Sequence, residues 1–243
     1  MRHAYELNGR RILITGAAAG IGAATAHVCA ELGARVILVD RADATAVAEA
    51  IAAEGGVSEV HLADVSDRVS VEALAKEIGA VDALVLNAGI CPFGDDWMDE
   101  DWDLAFRNVM GVNVLGPIHA ARAFMPAMMS RGSGRVVLVG SVAGRLGGMV
   151  AGPHYVASKG GVHALVKWLA KRAAPAGVLV NGVAPASVDT HLIEGQRVNL
   201  DLIPLRRKGM PREIAWPIAF LCSDAASYIC GTILDVNGGV YMN

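Results

Sequence analysis

Apolar residues along the 243-residue chain gather in short runs at 11–15, 35–40, 60–64, 83–87, 135–139, 179–183 and 232–236. In several runs Val, Ile and Leu stand side by side without polar alternation, the pattern of parallel strands covered on both faces. Between them lie helix-length stretches at 22–32, 69–78, 101–129, 155–174 and 211–223. Alternating β and α segments predict a doubly wound α/β fold with a parallel sheet of about seven strands. No repeat, low-complexity tract or linker divides the chain, so residues 1–243 read as one domain. Only 186–210 lacks a clear pattern; a connection that long in a compact domain usually carries function, and here it would lie beyond the carboxyl ends of the strands.

Composition narrows the class. Hydrophobic residues make up 53% and charged residues 19%, ample for a large core. A net charge of -3 offers no basic face for nucleic acid or anionic membrane, and 5% aromatics is thin for base stacking. Cys29, Cys91, Cys222 and Cys230 form no C-x-x-C pair and no zinc spacing, which reads as free thiols in a reducing compartment with no metal site. The segment 1–10 has no apolar core of a signal peptide. Residues 12–30 carry no Asp, Glu, Lys or Arg, but their glycines, threonines and His27 fit a buried strand turning into a helix better than a membrane span. The expected location is the cytoplasm.

The first strand runs directly into Thr15-Gly-Ala-Ala-Ala-Gly-Ile-Gly22. Gly16, Gly20 and Gly22 permit a tight turn and close approach to a pyrophosphate, and with Ile21 they open a helix whose N-terminus favours an anion. Asp40, 18 residues past Gly22, ends the second strand. An acid there accepts from ribose hydroxyls and repels a 2′-phosphate, which argues for NAD over NADP; Arg41 reads as a surface charge. Asp64 and Val65 end the third strand, where an acid meets the adenine amino group. Asn87, Ala88 and Gly89 end the fourth, the glycine leaving room and the amide able to bridge adjacent strands. The expected cofactor is NAD in a Rossmann-type fold.

Tyr155 and Lys159 are four apart and share a helix face. A neighbouring ammonium lowers a phenol's pKa toward the range useful for acid/base catalysis. Ser141, just past the fifth strand, is able to hydrogen-bond the same substrate oxygen. Asn113, an amide among apolar helix neighbours, is either a satisfied core residue or part of the site.

The ordered set TGAAAGIG, Asp40, Asp64-Val65, Asn87-Ala88-Gly89, Asn113, Ser141, Tyr155-Val-Ala-Ser-Lys159 and Asn181 resembles the short-chain dehydrogenase/reductase family over 7–243. The resemblance implies Tyr155 as general acid/base, with Lys159 lowering its pKa and holding the nicotinamide ribose. It implies Ser141 orienting the substrate oxygen, Asn113 binding a water that links Lys159 to a proton relay, and Asn181 stabilising the architecture. It places Pro185, Val188 and Thr190 against the cofactor, and it implies a homotetramer built on the Tyr155 helix, its neighbour and the C-terminal segment. One departure is Ala186 where the family has Gly after Pro185; a φ above zero there would cost about 1 kcal/mol.

By analogy, 91–93, 143–150, His154 and 186–203 surround the substrate. Leu146, Met149, Val150, Leu192 and Ile193 favour a hydrophobic secondary alcohol or ketone. His154 adjoins Tyr155 but points away on a helix. Arg206-Arg207-Lys208 reads as a solvated charge run, with a grip on a CoA or carrier-protein phosphate as the rival. Trp168 and Leu169 belong to core or subunit interface. An NADPH-linked 3-oxoacyl-(carrier protein) reductase is the alternative activity, and a non-catalytic dinucleotide sensor the alternative class.

Overall fold

The computed structural model describes residues 4–148 and 151–242. Its strands are β1 (Arg11–Thr15), β2 (Arg35–Asp40), β3 (Val57–Leu62), β4 (Ala83–Leu86), β5 (Gly134–Val139), β6 (Val178–Pro185) and β7 (Ile233–Val236). All pair in parallel, in the order β3-β2-β1-β4-β5-β6-β7. The helices are α1 (Gly20–Glu31), α2 (Thr45–Ala53), α3 (Arg68–Ile78), α4 (Trp102–Met110), α5 (Gly116–Arg131), α6 (Ala143–Leu146), α7 (Pro153–Ala173) and α8 (Pro211–Cys222). Strand order reverses between β1 and β4, and in such sheets the crevice at the reversal receives the ligand.

Side chains within each central strand sort by period two into two cores. Leu13, Ile37, Val39, Leu84, Leu86, Val136 and Leu138 pack with α3, α5 and α7. Ile12, Ile14, Val36, Leu38, Val85, Val137 and Val139 pack with α1 and α8. This two-sided burial, about 1.5–3 kcal/mol for each large side chain, explains the unbroken apolar runs.

Three boundaries differ from the sequence reading. β3 covers 57–62 rather than 60–64: it is an edge strand paired only with β2, so its inward face alone is covered and its apolar signal is diluted by Ser58 and Glu59. Asp64 therefore lies two residues past the strand. α2 lies outside the helices that the sequence pattern predicts, because it buries only Ile51 and its alanines carry no clear stripe. The expected helix over 101–129 is broken by a π-helical turn, Gly111–Leu115. Pro117 explains the break: it has no N–H to offer the Asn113 carbonyl four residues back, and its ring crowds that carbonyl.

Candidate active site

One cavity of about 330 Å³ opens above the carboxyl ends of the strands. Gly16, Gly20, Ile21, Asp40, Asp64, Val65, Asn87, Ala88 and Gly89 line one part of it. Ser141, Tyr155, Lys159, Pro185, Val188 and Thr190 line the rest. Gly22 and Asn113 stand behind the wall.

The glycine loop is built by close packing. A Cβ on Gly22 would sit 1.9 Å from the Gly16 carbonyl oxygen, and one on Gly16 would sit 2.8 Å from the Ala88 Cα. Gly16 (φ 68°) and Gly20 (φ 57°) both occupy the left-handed region. Asn87 Nδ2 donates to the carbonyls of Thr15 and Gly16, each at 3.0 Å, so the amide ties the end of β4 to the loop after β1. No side chain caps the N-terminus of α1 and its first turn holds no acid. The free N–H groups and positive dipole end face the cavity, a fit for a pyrophosphate.

Asp40 is held by two backbone donors: Ala18 N–H to one carboxylate oxygen and Ala42 N–H to the other, both at 3.0 Å. Asp64 Oδ1 accepts from the Ser66 hydroxyl at 2.6 Å and the Ser66 N–H at 2.8 Å, and these bonds hold its carboxyl below the ordinary carboxylate value. Thr190 faces Gly20 across the cavity, its Cγ2 3.2 Å from where a Cβ on that glycine would stand. Ala186 does not have positive φ; Arg206 is the sole non-glycine with one among the described residues. The strain anticipated at Ala186 is therefore absent.

At the inner end, Tyr155, Lys159 and Ser141 meet. Ser141 Oγ accepts from Ala143 N–H at 3.1 Å, which leaves its hydroxyl proton to be donated to the Tyr155 phenol. Lys159 Nζ donates to the Val139 carbonyl at 2.9 Å and lies 5.5 Å from the Tyr155 ring centre. Burial pulls the Lys159 pKa down to about 8. Burial also pushes the Tyr155 phenol above its ordinary value, with Cys91 adding to the rise and Ser141 opposing it. Desolvation of the phenolate outweighs the Ser141 hydrogen bond that opposes it, so the phenol stays above its ordinary value. Cys91 itself is pushed up to about 12 by burial, so at neutral pH it is an uncharged thiol.

Asn113 is both satisfied and adjacent to the site. Its Oδ1 accepts from Ile90 N–H at 2.8 Å, and Nδ2 donates to the Ile90 carbonyl and to Ser158 Oγ, each at 3.0 Å. Gly89 lies between it and Lys159: a Cβ there would be 3.3 Å from Asn113 Oδ1 and 3.4 Å from Lys159 Nζ. Asn181 lies mid-strand on β6, where it staples Ile229 and Thr232 to the sheet.

Sequence reasoning missed His163. Its Nε2 accepts from Ser141 N–H at 3.4 Å, and burial, with the charges of Arg145, Lys159 and Lys167, lowers its pKa to about 4. Its position eight residues after Tyr155 continues the Tyr155–Lys159 face, a signal present in the sequence. Arg206, Arg207 and Lys208 pair with Asp201, Glu213 and Asp189 respectively. Met149 and Val150 lie outside the described residues.

This site defines a nicotinamide-dependent oxidoreductase. A family model described as enoyl-(acyl carrier protein) reductase matches residues 16–241. Galactitol 2-dehydrogenase (L-tagatose-forming) of Cereibacter sphaeroides is 40% identical, covering 98% of this chain and 97% of the relative. Cis-4-hydroxycyclohexanecarboxylate dehydrogenase of Sinomonas cyclohexanicum is 39% identical over 95% of this chain and 96% of its own length. A crystal structure from Beutenbergia cavernae, proposed to be an NAD(P)-dependent gluconate 5-dehydrogenase and holding NADP at low occupancy, superposes with a TM-score of 0.92 at 36% identity, covering 98% of this chain and 99% of that one. The chain belongs to the short-chain dehydrogenase/reductase family.

Proposed function

We propose that this protein transfers a hydride between NAD(H) and a hydrophobic secondary alcohol or its ketone. The observation that carries the reading is the convergence of Ser141, Tyr155 and Lys159 in the same cavity as the glycine loop and Asp40. When bound, the nicotinamide supplies the hydride acceptor or donor.

The chain's own residues handle binding and the proton. Ser141 hydrogen-bonds the substrate oxygen and holds it against Tyr155. Tyr155 donates its proton to that oxygen in reduction and takes it back in oxidation. Burial keeps the phenol protonated at neutral pH, the form needed for reduction. Lys159 holds the nicotinamide ribose and favours the phenolate when the proton must leave. Asn113, whose carbonyl lacks its regular helical partner because of Pro117, anchors a water that relays protons from Lys159. The helix N-terminus of α1 takes the pyrophosphate, with Gly16, Gly20, Ile21 and Gly22; Asp64 and Val65 flank the adenine. Asn87, Ala88, Gly89, Pro185, Val188 and Thr190 complete the cofactor wall.

NAD preference is supported by Asp40, whose carboxylate two backbone N–H groups hold at the cavity wall where β2 ends, a position from which an acid would repel a 2′-phosphate. The apolar substrate is supported by Ile90, Ala186, Leu192 and Ile193 at the cavity wall. A carrier-protein substrate is less well supported, because the basic run at 206–208 is already paired with acids. Exposed Leu104, Leu115, Met129 and Trp168 on the α4–α5 and α7 faces support a homotetramer of one-domain chains. The free cysteines suit the cytoplasm, and among the described residues no helix is long and apolar enough to cross a membrane.

The test is NADH formation by absorbance with purified protein, NAD and a panel of hydrophobic secondary alcohols, cyclic ones included, with polyols and NADP in parallel. The expected result is turnover of apolar alcohols with NAD. Turnover confined to polyols would overturn the substrate reading, and faster turnover with NADP the cofactor reading.

A further inference from the structure

The loop between β4 and α4 is fastened to the helix that carries Tyr155. Asp95 Oδ2 accepts from Trp102 Nε1–H at 3.0 Å and from His154 Nε2–H at 2.8 Å. The His154 ring is fully buried and stacks on Trp102, with centroids 5.5 Å apart and planes 15° off parallel. Its other nitrogen, Nδ1, accepts the Tyr155 backbone N–H at 2.7 Å, a proton shared with the Gly152 carbonyl at 3.1 Å. A backbone N–H only donates, so Nδ1 carries a lone pair and the imidazole proton sits on Nε2, aimed at the carboxylate. Adjacent helix residues do point apart, as the sequence implied, and the consequence is that His154 reaches the loop while Tyr155 reaches the cavity.

Two details show that the arrangement is built into the chain. Gly152 leaves the first turn of α7 without a capping side chain, and the imidazole takes that role. A Cβ on Gly152 would stand 2.9 Å from His154 Cε1, so only glycine lets the ring lie there without a shift. The same loop holds the buried Cys91 thiol, which lies near Tyr155 and Lys159. The loop is pinned at its start by the Asn113–Ile90 pair and further on by Asp95–His154.

We propose that Asp95 and His154 are positioning residues that lock the 91–101 loop onto the first turn of α7 and thereby set substrate affinity at Tyr155 without acting on the cofactor. The proposal rests on Tyr155 being the acid/base of the reaction. The bond joins a buried imidazole to a partly exposed carboxylate, and a charge-assisted bond is stronger than a neutral one, so its loss loosens the loop.

The experiment compares wild type, Asp95→Ala and Asp95→Asn, the last keeping an acceptor oxygen for both donors. Steady-state kinetics use saturating NAD and the best alcohol of the panel; NAD binding is measured separately, and amide exchange is followed by mass spectrometry. For Asp95→Ala the expected result is a KM for alcohol raised at least about tenfold, kcat within about threefold, an unchanged Kd for NAD, and faster exchange confined to 91–101 and the start of α7. Asp95→Asn should recover KM to within about threefold of wild type. An unmoved KM in Asp95→Ala overturns the proposal. So does a joint fall in kcat, NAD binding and thermal stability that Asp95→Asn fails to rescue, since that pattern marks a general structural role. Unchanged exchange shows that there is no clamp. A wild type without turnover on any alcohol overturns the functional reading and this assignment with it; turnover with an unmoved KM overturns the assignment alone.

Discussion

Replacing Asp40 by Asn removes one negative charge from the end of β2 with almost no change of shape. In the native chain both carboxylate oxygens are engaged by backbone N–H groups at 3.0 Å, so the charge is fixed in place and does not swing away from an incoming phosphate. Two unit charges about 4 Å apart interact by roughly 1 kcal/mol in water and about 4 kcal/mol at an effective dielectric of 20. Asp40 is half-buried, so an intermediate repulsion of about 2–3 kcal/mol against a 2′-phosphate is reasonable at this rim. Removing it should raise kcat/KM with NADP by roughly 30- to 150-fold. With NAD, a charged acceptor of the ribose hydroxyls becomes a neutral one, at a loss of about 1 kcal/mol, or roughly fivefold. The NADP/NAD preference should therefore move by about two to three orders of magnitude. Initial rates with each cofactor, at one alcohol concentration and fixed ionic strength, read it directly. A preference that moves by less than about threefold would refute the argument, because it would mean that the carboxylate does not face the ribose.

Three further outcomes follow from the geometry. His163 has its pKa lowered to about 4 from an ordinary 6.5, so between those values the unfolded chain binds a proton that the folded chain refuses; stability should fall by on the order of 2 kcal/mol as pH drops from 6.5 to 4, and His163→Gln should flatten that part of a pH-dependent denaturation profile. Lys159 has its pKa lowered to about 8 from 10.5, so the folded chain sheds its proton first and wild-type stability should gain a contribution as pH rises from 8 to 10.5; Lys159→Met should lose that gain in thermal melts while turnover falls by about 10²-fold or more. Ala186→Gly should lower stability by about 0.5–1 kcal/mol rather than raise it, because Ala186 has no positive φ to relieve; a higher melting temperature would contradict this.

The central strands were legible because burial on both faces writes unbroken apolar runs, and the motifs at their carboxyl ends were legible because glycines and acids there have few other uses. β3 drifted because an edge strand has one partner and one covered face. The π-helical turn was hidden by a continuous apolar pattern, although Pro117, four residues after Asn113, marks the lost helical bond. Spacing brought Tyr155 and Lys159 together correctly but did not carry the electrostatics: the pKa of a phenol depends on how deeply it is buried, which periodicity does not report. Asp95 and His154 were invisible as a pair because they are 59 residues apart and meet only when the loop folds back on α7.

The most direct test of the account is Tyr155→Phe, which removes one hydroxyl from a half-buried ring at the cavity wall and leaves its packing in place. Turnover of the best alcohol with NAD should fall by at least about 10³-fold while calorimetric NAD binding stays within about threefold of wild type. Turnover that survives the substitution within about tenfold would contradict the assignment of Tyr155 as the group that moves the proton.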